Sequence, residues 1–172
     1  MYERLEKRLQ QLKQSGLSAQ LSESRIGLEK ESLRVSSEGT LAATPHPPIL
    51  GSALTHPNIT TDYSEAMLEF ITEPYVSIEG ALNRLEQIHQ YVHRRLDEEI
   101  LWATSMPCVL HGDNSIPIAQ YGSSNRGMMK TVYRRGLGHR YGRPMQVISG
   151  IHFNYSLPHH FWDAYQKLEG VE

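Results

Sequence analysis

Carboxylates set inside core-like segments constrain this chain most. Glu29 and Glu31 lie two residues apart in Gly27-Leu28-Glu29-Lys30-Glu31-Ser32-Leu33-Arg34-Val35, and Glu69 stands between Leu68 and Phe70. Ionised carboxylates are almost never buried unless paired or bound to a metal. A fold for this chain must therefore offer these acids open solvent or a cation. On a strand, side chains alternate between faces, so Glu29 and Glu31 share one, with Cα atoms roughly 7 Å apart. On a helix they would diverge by about 200°. The strand assignment thus carries a hard-cation reading, of the magnesium or manganese kind. Against it stands a plainer one: an exposed acidic strand face, with Lys30 and Arg34 as ordinary surface charge.

Two further segments bear on the choice. A strand is expected over 64–73, which puts Glu65, Met67, Glu69 and Ile71 on one face. Asp62, in Thr60-Thr61-Asp62, falls where a turn is expected, and turn chemistry alone accounts for an Asp there. A third strand is expected over 145–156, closed by Leu157-Pro158, with His152 and Asn154 on a face shared with Ile148 and Ser156. A lone strand histidine is more often structural than a ligand. Two polar groups pointing the same way from an apolar strand favour a site.

The remaining pattern is mostly helical. Leu5, Leu9 and Leu12 mark a helix over 2–14. Ile78, Leu82, Leu85, Ile88, Val92 and Leu96 mark a longer one over 78–102, with Ser77 as N-cap. Ser36-Ser37-Glu38-Gly39 reads as a turn, and four prolines make 43–58 a loop. A short helix is expected over 127–137, inside a stretch rich in Gly, Ser, Asn and Arg. Strands and helices without regular alternation point to an α+β fold, and 172 residues suffice for one domain. With 17 Lys and Arg against 19 Asp and Glu, a general nucleic-acid or membrane-surface binder is disfavoured. No apolar run reaches the roughly 18 residues of a membrane span, and the charged start lacks a signal peptide's apolar core. The one cysteine, Cys108, permits no intrachain disulfide and reads as packing, which fits a reducing cytoplasm. His89 and His93, four apart without the acid of a zinc motif, read as a surface pair.

Residues 122–131 come close to a phosphate-binding P-loop, but Lys130-Thr131 is displaced by two positions. The glycines at 136, 138 and 142 miss the dinucleotide fingerprint by one. A cationic cluster remains: Arg126, Lys130, Arg134, Arg135, His139, Arg140 and Arg143, with Tyr121, Tyr133 and Tyr141 interleaved. It suits an anionic small molecule better than a solvated helix face. Single-stranded nucleic acid is the other reading of aromatics among cations.

Blocks spread from about residue 21 to 162 resemble glutamate–cysteine ligase of the proteobacterial type. They are Gly27–Val35, Gly51–Pro57, Thr60–Glu65, Leu68–Thr72, Ser105–Cys108, Ala119–Asn125, Lys130–Leu137 and Gly150–Pro158. The resemblance implies an ATP-dependent ligase that joins the side-chain carboxylate of glutamate to the amine of cysteine through an acyl phosphate, the first step of glutathione synthesis. It implies a fold similar to glutamine synthetase, an antiparallel sheet with flanking helices forming a funnel with Mg2+ or Mn2+ at its base. Carried over by position, Glu29, Glu31, Asp62, Glu69 and His152 are the expected metal ligands. Tyr63, Tyr133 and Arg134 are expected in the amino-acid pockets, with Arg134 as a catalytic group, and Gln146 and Asn154 at the glutamate substrate. The expected partners are glutamate, cysteine and ATP, without nucleic acid or membrane, in the cytoplasm. The family's chains are about three times as long, so residues 1–172 are expected to be the amino-terminal part of a single catalytic domain.

Overall fold

The structure is a computed structural model, and it describes residues 2–170. One strand organises it. β1 (Arg25–Val35) pairs antiparallel with β3 (Met67–Ile71), β4 (Ile100–Leu101) and β5 (Ile151–Ser156), and β3 pairs with β2 (Ile59–Thr61). The order β2-β3-β1-β4, with β5 also on β1, makes a five-stranded sheet. Five helices flank it: α1 (Tyr2–Gln14), α2 (Leu17–Gln20), α3 (Ile78–His93), α4 (Asn125–Tyr141) and α5 (His159–Glu169). This is the α+β antiparallel arrangement expected from the sequence.

The period of two in β1 divides the core. Leu28, Leu68 and Phe70 face α3, where Ala81, Ile88 and Val92 are buried. On the other face Leu33, Val35 and Met67 pack with Tyr63, Cys108, Ile116 and Val147. Burial pushes the Cys108 thiol pKa up, in keeping with a packing role rather than a nucleophile. The same face, followed back toward the start of β1, carries Glu29 and Glu31.

Several boundaries differ from expectation. Helix α3 stops at His93 rather than running to 102. Arg34 captures Glu99 at 2.5 Å, and Leu101 and Ile100 pair with Arg34 and Val35, so this stretch must be extended to reach β1. Ile78 and Leu82 of its stripe stay exposed. The strand expected over 64–73 begins only at Met67. Met67 N donates to Ser64 O and Asp62 N to Met67 O, closing a tight connection from β2. The strand expected from 145 begins at Ile151, because Pro144 starts a 3-10 turn over 144–147. Helix α4 is longer than expected, 125–141, with the Ser124 hydroxyl accepting from Gly127 N as its cap. His89 is half-buried with its ring edge-on to Phe70, not half of a surface pair. Among the described residues no helix is long and apolar enough to cross a membrane.

Candidate active site

The site lies on one face of three strands. Glu31 pairs across to Glu69 of β3, and Glu29 pairs across to His152 of β5. Residues directly opposite on paired strands share a face, so a single polar strip crosses β3, β1 and β5. Gly27 lies opposite Asn154, which extends the strip by one row. His152 Nδ1 lies 3.0 Å from Glu29 Oε2, and Asn154 Nδ2 donates to Glu29 Oε1 at 2.9 Å. Gly150 N donates to Glu31 Oε2 at 2.6 Å. Glu69 has no such donor, and its partner on the far side is Thr60.

Charge repulsion is written into this strip. Burial, followed by the charges of Asp62, Glu29 and Glu31, pushes the Glu69 pKa up to about 7. Burial also raises Glu31, against the Gly150 hydrogen bond that lowers it. The hydrogen bond to Glu29 raises His152. The acids are thus packed more closely than their mutual charge favours, which is what a cation would relieve.

Asp62 ends β2 at the edge of the strip, and α4 meets it there. Arg134 Nε donates to the Asp62 carbonyl at 2.5 Å, and its Nη2 lies 3.7 Å from Asp62 Oδ1. Tyr121 OH donates to the carbonyls of Thr61 and Asp62 at 2.6 and 3.0 Å. The Tyr121 ring carries two cations one helical turn apart: Lys130 Nζ at 4.7 Å and Arg134 Cζ at 4.9 Å from its centroid. Close approach seats α4. A Cβ on Gly127 would collide with the Tyr121 carbonyl, and one on Gly138 with the Tyr63 hydroxyl.

The structure therefore brings Glu29, Glu31, Glu69, His152 and Asn154 together, with Asp62 and Arg134 at the margin. It does not bring Tyr63 with them. Tyr63 is 1% exposed, a member of the core, with its hydroxyl against α4 and without a hydrogen bond, so it is not a wall of an open pocket as expected. An aromatic after Asp62 packs inward because the turn to Met67 points it beneath α4. Tyr133 is exposed on α4, and Gln146 is half-buried in the turn before β5, without a side-chain hydrogen bond to the strip. Tyr121 and Lys130 were read from the sequence only as members of a basic stretch. The spacing of Lys130 and Arg134, four apart on a helix, was the signal that would have paired them.

The donor set, carboxylate oxygens with one imidazole, has the chemistry of a magnesium or manganese site. Among the described residues no three His, Cys, Asp or Glu side chains converge on one ion-sized position. Magnesium takes one or two protein carboxylates, with water and substrate phosphates as the rest of its shell, so pairs such as Glu31 with Glu69 meet its needs.

Comparison with known proteins points the same way. A family profile described as glutamate-cysteine ligase matches residues 9–172. The glutamate–cysteine ligase of Alcanivorax borkumensis is 58% identical over 96% of this chain and 32% of its own length. That of Pseudomonas aeruginosa is 55% identical over 88% of this chain and 29% of its own. The chain thus spans about a third of the length of these relatives. Among solved structures, glutamate–cysteine ligase from Francisella tularensis in complex with AMP superposes with a TM-score of 0.82 at 43% identity, over 87% of this chain and 30% of that one. A bifunctional glutathione synthetase from Pasteurella multocida gives 0.78 at 34% identity, over 94% and 20%. Sequence and fold agree over nearly the whole chain, and it belongs to the glutamate–cysteine ligase family.

Proposed function

We propose that the complete protein joins the γ-carboxylate of L-glutamate to the amine of L-cysteine at the expense of ATP. In this reaction a γ-carboxylate oxygen attacks the γ-phosphorus, and ADP leaves. The cysteine nitrogen then attacks the acyl carbon of γ-glutamyl phosphate, and inorganic phosphate leaves with loss of an amine proton. The observation that carries the reading is the strip Glu69–Glu31–Glu29–His152 across three strands, in a chain whose relatives bear that ligase name. ATP as co-substrate is supported by the AMP complex of the Francisella tularensis enzyme. We read residues 1–172 as one part of a single, larger catalytic domain, working in the cytoplasm with its one thiol reduced.

Glu29, Glu31, Glu69, Asp62 and His152, taken in pairs along the strip, are the residues that would hold Mg2+, or Mn2+ in its place. Bound there, the ion would offset the charge of the ATP phosphates and of the transferring phosphoryl group. The chain's own side chains orient that set. Asn154 and His152 fix both oxygens of Glu29, and Gly150 N fixes one oxygen of Glu31. Asn154 remains a candidate for the glutamate substrate, and Gln146 and Tyr133 stay candidates for the pocket walls beyond it. Arg134 acts by holding the Asp62 corner in place.

ADP release by the complete protein, with each amino acid left out in turn, tests the reading. Turnover should require glutamate, cysteine, ATP and magnesium together. Turnover without cysteine, with another amine preferred, would overturn the acceptor. A second arm needs no turnover: magnesium should raise the thermal midpoint of this chain. A ligand at a hundred times its Kd stabilises by about 2.7 kcal/mol. Glu69→Gln should abolish most of that rise, and an unchanged rise would remove Glu69 from the metal site.

A further inference from the structure

Arg134 was the residue expected to grip a substrate carboxylate, yet two of its donors are already spent on backbone carbonyls. Nε donates to Asp62 O, Nη1 donates to Lys130 O at 3.2 Å, and Nη2 faces Asp62 Oδ1. The cation one turn earlier is in the opposite state. Lys130 Nζ makes no hydrogen bond or ion pair to any described residue, although it is half-buried and held over the Tyr121 ring. Burial and the charges of Arg134 and Arg126 lower its pKa against the opposing pull of Glu69 and Asp62, and no acid lies close enough to pair. An exposed lysine has water for its three donors. One half-covered and pinned on an aromatic face has lost part of that water and gained only the ring.

The backbone fixes its position. Ser124 caps α4, Gly127 lets the helix touch the Tyr121 carbonyl, and Thr131 Oγ1 donates to Ala119 O at 3.2 Å. Tyr121 is in turn tied to the end of β2. Lys130 is thus held by α4 and by Tyr121, both of which are tied to Asp62 at the margin of the strip.

Resting on the ligase reading above, we propose that Lys130 is a catalytic residue that takes the anionic group of a substrate, a carboxylate or a phosphoryl oxygen, at the margin of the strip. An ammonium serves either as a compact point charge. The amino acid and ATP are the two sources of such a group, and kinetics separates them.

The test uses the complete protein carrying Lys130→Met, Lys130→Gln or Lys130→Arg. It measures ADP formation with each substrate varied, calorimetric binding of glutamate and of ATP with magnesium, and the thermal midpoint. Lys130→Met and Lys130→Gln should lower kcat/KM for one substrate by about tenfold or more, the scale of a lost hydrogen bond to a charged group. Lys130→Arg should recover part, with the midpoint unmoved. A loss confined to glutamate assigns the carboxylate, and a loss confined to ATP assigns the phosphoryl group; both support the proposal. Values within about twofold for every substrate overturn it. So does an equal loss for all substrates with a lowered midpoint that arginine does not restore, since that marks a structural counter-charge. If the unsubstituted protein forms no ADP from these substrates, the ligase reading fails and binding decides Lys130. Weaker binding of glutamate or ATP in Lys130→Met then supports the assignment, and unchanged or absent binding overturns it.

Discussion

Arg34 sits at 0% exposure in the middle of the molecule. Its guanidinium donates to Thr44 Oγ1 at 2.6 Å, Glu99 Oε2 at 2.5 Å and the carbonyls of Thr44, Pro45 and Glu65. One side chain therefore ties β1 to the proline-rich loop, to the segment after α3 and to the turn before β3. A buried cation is favourable only when it is well partnered, as both terminal nitrogens are here while Nε has no partner, and removing one member of such a set costs about 3–5 kcal/mol. Arg34→Met should destabilise this chain by that amount in urea denaturation, a large share of the roughly 5–15 kcal/mol that holds a domain together. Arg34→Lys should recover only part, because an ammonium cannot reach five acceptors from one planar fork. A loss below about 1 kcal/mol would return Arg34 to the surface-charge reading that its sequence context allows. That context hid it: in Leu33-Arg34-Val35 the period of two says only that Arg34 faces away from Leu33, not that the far face is covered. Tyr63 failed in the opposite sense, because an aromatic beside Asp62 looks like a pocket wall until α4 is laid over it.

Helix α4 shows how packing overrides propensity. It contains Gly127, Gly136 and Gly138, and glycine in a helix costs about 1 kcal/mol relative to alanine. On propensity alone, alanine at these positions would stabilise. Contact decides otherwise at two of them. Gly138→Ala would push a methyl into the buried Tyr63 hydroxyl, and Gly127→Ala into the Tyr121 backbone. Overpacking costs about 1–3 kcal/mol, so both should destabilise in thermal or urea unfolding, Gly127→Ala the more because a carbonyl yields less than a side chain. Gly136→Ala meets only the end of the Arg140 side chain and should stabilise by up to about 1 kcal/mol. Stabilisation at 127 or 138 would mean that α4 is not seated on Tyr121 and Tyr63 as described. These glycines explain why the sequence supported only a short helix here. By contrast β1 was legible from the apolar residues at both of its ends, although its burial does not alternate: both faces are covered at 26–28 and 32–35, and only 29–31 are half-open.

At the scale of the molecule, acidification pulls stability two ways. Burial lowers the pKa values of His46 and His89. The unfolded chain therefore binds their protons first, near pH 6.5, and stability falls as the pH drops from there toward the folded values. Glu69, raised to about 7, acts in the opposite sense between that value and the unfolded carboxylate range near 4.5. Differences between variants separate the two. His89→Leu should lose less stability than the parent between pH 7.5 and 5.5 in urea titrations. An equal loss would mean that His89 is as solvated when folded as when unfolded. The sheet's order explains why so much of the site was invisible to local pattern. Periodicity placed Glu29 and Glu31 on one face, but nothing local in Ile151–Ser156 names β1 as its partner, and only the family resemblance brought His152 to Glu29. That contact spans 123 residues of chain. Closing so large a loop costs more entropy than joining β2 to β3, and folds governed by distant pairings are slow to form. A chain emerging from the ribosome can therefore build the β2–β3 hairpin long before its acid face, which is completed only after Ile151–Ser156 has been synthesised and has found the strand made first.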